Sequence, residues 1–90
     1  MPSDGKREKT VKLILATTRD ESASKLIDRL VEHEFRATRI KSVGGFLKKG
    51  NSTIVVGTDD EYVDDVLKLI SESATPANVY VVNLSRYERL

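Results

Sequence analysis

TTRDESASKLIDRL (residues 17–30) and GTDDEYVDDVLKLI (residues 57–70) decide how this 90-residue chain folds. At an offset of forty they align Thr18 with Thr58, Glu21 with Glu61, Ala23 with Val63, Leu26 with Val66, Ile27 with Leu67 and Leu30 with Ile70. Each segment sets a Thr and a Glu three apart, the capping-box pattern of a helix start, before apolar residues at the spacing of one helical face. For the first helix that stripe is Ala23, Leu26, Ile27, Leu30 and Val31, running to about His33. For the second it is Val63, Val66, Leu67 and Ile70.

Working outward, each helix is preceded by a run of strand formers, VKLILAT (residues 11–17) and STIVVG (residues 52–57). Each is also followed by one, residues 36–43 and NVYVVNL (residues 78–84), the latter after Pro76 ends any helical continuation. Two βαβ units in tandem, both helices on one face, predict an α+β fold. The expected architecture is a ferredoxin-like βαββαβ sandwich with a four-stranded antiparallel sheet. Residues 1–10 are polar and aperiodic and are expected to form a disordered tail, leaving residues 11–90 as one domain. In the first and last strands apolar residues occupy both alternating sets: Val11, Leu13 and Leu15 with Ile14 and Ala16, then Val79 and Val81 with Tyr80, Val82 and Leu84. Two helices cover one face only, so the other needs a partner, and self-association is expected to supply it.

Composition narrows the functional classes. The chain is 39% hydrophobic and 32% charged, enough for a core, and its net charge of +1 gives no reason to expect wrapping of a nucleic-acid polymer. With no cysteine and one histidine, disulfides, thiolate metal sites and cysteine nucleophiles are excluded. No stretch approaches the roughly 18 apolar residues of a membrane span, and the N-terminus lacks a secretory core, so a cytoplasmic location is expected. The acidic group Asp59, Asp60, Glu61, Asp64 and Asp65 lacks the spaced ligands of a calcium loop and reads as a solvated first turn favoured by the helix dipole. His33, near a helix C-terminus, reads as structural, and no Walker loop or serine-nucleophile motif is present, so no enzyme is expected.

The charge is nevertheless uneven. Residues 35–58 carry five bases (Arg36, Arg39, Lys41, Lys48, Lys49) and no acid. With the glycines Gly44, Gly45 and Gly50, these are the parts of an anion site in which Arg36 forks onto a phosphate, Thr38 and Asn51 offer neutral hydrogen bonds and Phe46 stacks on a base. A basic hairpin merely facing water remains the other reading.

FRATRIKSVGGFLKKGNSTIVVG (residues 35–57) resembles the PII-like cyclic-di-AMP receptor family of the PstA/DarA type. The likeness extends to KLILATTRDESASKLIDRLVEHEF (residues 12–35), DDEYVDDVLKLI (residues 59–70) and VYVVNLSRYERL (residues 79–90). The resemblance implies a homotrimer of ferredoxin-like subunits that binds cyclic-di-AMP between neighbours, without catalysis or a further cofactor. By position it makes Arg36 a phosphate contact and Thr38 an adenine or ribose contact, while Gly45, Phe46 and Leu47 hold the ligand through backbone amides and apolar packing. Asn51 would read adenine, Gly57 would leave room for the base, and Tyr80 falls on the aromatic of the last strand.

Three positions depart from that pattern. Glu34 stands where the family usually has Asn. Arg89, another candidate phosphate contact, stands where an uncharged polar residue is usual. SESATPAN (residues 71–78) replaces a long loop. An RNA-binding RRM shares the element order but needs aromatics in its central strands, and the two strands in question have none. A PII-like or ACT-like module for ATP, ADP or another small ligand, and a structural trimer acting on an unidentified protein target, are the remaining alternatives.

Overall fold

The computed structural model describes residues 11–41 and 50–84. Strand β1 (Val11–Arg19) leads into helix α1 (Asp20–Glu32), followed by β2 (Ala37–Lys41) and β3 (Asn51–Asp59). A single 3-10 turn (Asp60–Tyr62) then precedes α2 (Val63–Ser73) and β4 (Asn78–Leu84). The sheet is antiparallel throughout, in the order β2-β3-β1-β4, the ferredoxin-like arrangement that the tandem βαβ pattern predicts. The expected tail at residues 1–10, the hairpin candidates Gly45, Phe46 and Leu47, and Arg89 lie outside the described residues.

The core forms where the helical stripes meet one face of the sheet. Ile14 and Ala16 of β1 and Ile54 and Val56 of β3 pack against Ala23, Leu26 and Leu30 of α1 and Val66, Leu69 and Ile70 of α2. Two members of the expected stripes shift. Val31 is 62% exposed, because the stripe rotates past it at the end of α1, and Leu69 is buried while Leu67 is only partly so. Residues 66, 69 and 70 are the i, i+3, i+4 set that one helical face presents to a sheet.

Neither capping box forms. Both threonines lie inside strands that run two residues further than their apolar cores, and Arg19 and Asp59 take the positions before the helical turns with no side-chain cap. Thr18 pairs with Ser52 and Thr58 with Lys12, so β-sheet register claims these β-branched residues. The Thr18 hydroxyl, buried on the helix side, instead donates to the Ala74 carbonyl at 2.9 Å and lies 3.1 Å from that of Pro76, tying β1 to the end of α2.

Among the described residues, the opposite face of the sheet carries no helix. Register places Thr38, Val55, Leu15 and Tyr80 in one row across the four strands, with Gly57, Leu13 and Val82 in the next same-face row toward one end, across three strands. Leu13, Leu15 and Val55 are half-buried, and Tyr80, Val82 and Ile40 are exposed. The apolar second face expected from the alternation is therefore present, and none of the described helices covers it.

Candidate functional site

The segment that delivers Arg36 to the sheet is shaped by the end of α1. The Phe35 amide donates to the Leu30 carbonyl and the Glu34 amide to the Val31 carbonyl, both at 2.9 Å. This is the Schellman closure of a helix, in which the residue after the cap turns left-handed and the next packs back onto the last turn. The left-handed residue is Glu34, at φ 66°. Glycine or asparagine occupies that place at little cost, whereas a longer L side chain pays about 1–2 kcal/mol. Phe35 then packs against the core and meets Tyr62 edge to face, with ring centroids 6.2 Å apart at 69°.

Around this turn lies an open cavity of about 540 Å³ lined by His33, Glu34, Phe35, Arg36, Gly57, Thr58, Asp59 and Tyr62. Arg36 immediately precedes the Ala37–Val56 pair, which brings it beside Gly57. A methyl group added at Gly57 meets no described residue within 4 Å, so packing among the described residues gives no reason for a glycine there. Among the described residues Arg36 and Glu34 have no ion-pair partner within 4.0 Å. A guanidinium that pairs with no carboxylate among the described residues, next to open space above a glycine, is suited to a phosphate with a flat group beside it. The neighbouring Glu61 hydroxyl-accepting carboxylate, and its charge, raise the Tyr62 phenol above its ordinary 10.0, so the ring keeps its proton. His33, Phe35 and Tyr62 also line a second cavity of about 570 Å³ running between the two helices.

Thr38, two positions beyond Arg36 where the chain enters β2, stays beside it, whereas one protomer does not bring Asn51 or Tyr80 to Arg36. Asn51 pairs with Arg19 at the far end of β3, six residues from Gly57 or roughly 20 Å at about 3.3 Å per residue. There it lines a separate cavity of about 250 Å³ with Thr17, Arg19 and Asn78. Thr38 and Tyr80 share a row but occupy opposite edge strands, three strand spacings or roughly 14 Å apart.

Arg39, counted in the basic stretch, is committed elsewhere. Its Nε donates to Ser52 Oγ at 3.1 Å and its terminal nitrogens to Ser24 Oγ at 2.8 Å and the Asp20 carbonyl at 2.9 Å. Ser52 in turn donates to Asp20 Oδ1 at 2.5 Å. That hydroxyl outweighs an opposing desolvation effect and, with the Lys41 and Arg39 charges, holds Asp20 below its ordinary 3.8. The cluster fastens the start of α1 to β2 and β3 at the base of the connecting hairpin.

His33, Phe35, Thr58, Asp59 and Tyr62 were not among the sequence candidates for binding. Chain adjacency to Arg36 and Gly57 was the available signal for four of them, and Tyr62 carried none beyond being an aromatic in an acidic turn. Among the described residues no group of three or more His, Asp or Glu is placed to hold a metal ion, and no helix is long and apolar enough to cross a membrane.

An antiparallel four-stranded sheet backed by two helices defines a ferredoxin-like module, with Arg36 unpaired among the described residues at one sheet end. Solved structures share the architecture. A functionally unknown protein from Pediococcus pentosaceus is 28% identical, with a TM-score of 0.80 over 92% of this chain and 100% of that one. The divalent ion tolerance protein CutA1 from Ehrlichia chaffeensis is 14% identical, with a TM-score of 0.73 over 91% of this chain and 88% of its own. CutA1 from Oryza sativa is 10% identical, with a TM-score of 0.70 over 88% and 84%. The two CutA1 likenesses speak to the fold alone. Residues 11–88 match the family model described as cyclic-di-AMP receptor. The chain belongs to the cyclic-di-AMP receptor family.

Proposed function

We propose that this protein is a signal-transduction receptor that binds cyclic-di-AMP where copies of a homotrimer meet, and that it catalyses no reaction. The observation that carries the reading is the division of the candidate site. Arg36 and Gly57 frame open space at one end of the sheet, whereas Asn51 and Tyr80 lie too far away for one small molecule to reach all four in one chain. A neighbouring copy seated on the uncovered apolar face brings a second set of these residues near the first, and burial of Leu13, Leu15, Val55 and Val82 supplies the driving force.

Within such a seam Arg36 forks onto one phosphate, the space above Gly57 takes a base, and Thr38 and Asn51 contribute neutral hydrogen bonds. Gly45, Phe46, Leu47 and Arg89 are proposed as further ligand contacts, as the family pattern implies. Binding alters the surface offered to a protein target in the cytoplasm, and signalling needs nothing further of the chain. Calorimetry against cyclic-di-AMP, ATP, ADP and cyclic-di-GMP, with light scattering for subunit number, tests this directly. Arg36→Ala is expected to weaken cyclic-di-AMP binding by about 1.5–3 kcal/mol, the worth of a hydrogen bond to a charged group, with assembly unchanged. Heat for ATP and none for any cyclic dinucleotide would move the assignment to an ATP-binding regulatory module.

A further inference from the structure

Glu34 is a costly choice at its place in the fold. The Schellman turn requires a left-handed residue there, and φ 66° is a conformation that glycine or asparagine adopts with less strain. Its carboxylate gains no compensating partner among the described residues. The side chain nevertheless lines the cavity that contains Arg36 and the open space above Gly57. Strain held at the wall of a cavity, beside an arginine that pairs with no described carboxylate, points to use by what the cavity binds.

The chemistry of the side chain restricts that use. A carboxylate offers two acceptors and no donor, whereas a carboxamide offers one of each. Adenine presents a donor beside an acceptor along either of its hydrogen-bonding edges, which a carboxamide matches at both points. Against the same edge one carboxylate oxygen is satisfied by the amino group and the other faces a ring-nitrogen lone pair. Guanine presents two adjacent N–H donors, N1–H and the 2-amino group, and a carboxylate accepts both. Resting on the cyclic-dinucleotide reading above, we propose that Glu34 is the specificity-determining residue of this site. It shifts base preference next to Arg36 from adenine toward guanine, so that a mixed adenine–guanine cyclic dinucleotide is a ligand of the receptor. Arg36 neutralises the phosphate near the carboxylate, and the two-donor edge supplies the partner that no described residue gives Glu34.

The test is titration calorimetry of the full chain and of Glu34→Asn and Glu34→Gln with cyclic-di-AMP and 3′,3′-cyclic AMP–GMP. In wild type both ligands are expected to bind. The preference for the mixed ligand over cyclic-di-AMP is expected to fall by about tenfold in each variant, the discrimination of one two-point base contact. Asn relieves the left-handed strain and Gln retains it, so a shift shared by both belongs to the carboxylate, and a higher melting temperature for Asn alone reports the strain. A change of less than about threefold in the ratio, or one of opposite sign, overturns the role of Glu34 while leaving the cyclic-di-AMP reading intact. Absence of binding by either dinucleotide to wild type and to both variants overturns both.

Discussion

Gly57→Val separates binding from folding more cleanly than any other single change. The glycine lies within β3, where a β-branched residue is favoured by the pleated backbone and loses less conformational entropy on folding. A Cβ at this position meets no described atom within 4 Å, so the described residues offer no steric objection at that atom. These terms together place the variant between neutral and about 1 kcal/mol more stable than wild type. The three added carbon atoms enter the space next to Arg36 that the ligand is proposed to fill, and cyclic-di-AMP affinity is expected to fall by at least about tenfold, or 1.4 kcal/mol. Urea melts measure the first effect and calorimetry the second, with light scattering to establish that assembly persists. A loss of stability above about 1 kcal/mol, or unchanged affinity, would refute the view that this glycine is kept for the ligand.

Three further perturbations probe other parts of the argument. Leu15→Glu places a charge in the middle row of the uncovered sheet face, where the single chain already leaves the side chain half-exposed. It is expected to give folded monomers by size-exclusion light scattering, and an unchanged trimer would exclude that face as the seam. Thr18→Val removes a buried hydroxyl from the Ala74 and Pro76 carbonyls and is expected to cost about 1–3 kcal/mol in denaturant melts. Asp20 has a folded pKa below its unfolded value of 3.8, so its stabilisation is complete above that pH and is lost as pH falls through the lower folded value. The stability difference between wild type and Asp20→Asn is therefore expected to stay flat from neutral pH down to about 5 and to shrink in acid, with a rise on acidification refuting the assignment.

Much of the fold was legible because its signals are periodic. Apolar alternation located the strands, and the two stripes offset by forty residues located the helices and paired the halves. The capping boxes misled because Thr18 and Thr58 are also strand formers, and the choice between cap and ladder depends on Ser52 and Lys12 in other strands. Arg39 looked like a free cation because its partner Asp20 lies nineteen residues away, across the sheet and helix.

The candidate site divides along the same line. Arg36 and Gly57 were identifiable as residue types suited to a phosphate and to open space, yet their adjacency is created by the antiparallel pairing of β2 with β3. Sequence alone determined the layers, the uncovered apolar face and the chemical kinds of group available for a nucleotide, because these follow from periodicity and composition. Tertiary structure decided which of the described charges pair, where Glu34 turns left-handed and how far Asn51 and Tyr80 stand from Arg36. Those properties depend on contacts between segments remote in the chain, and no local pattern encodes them.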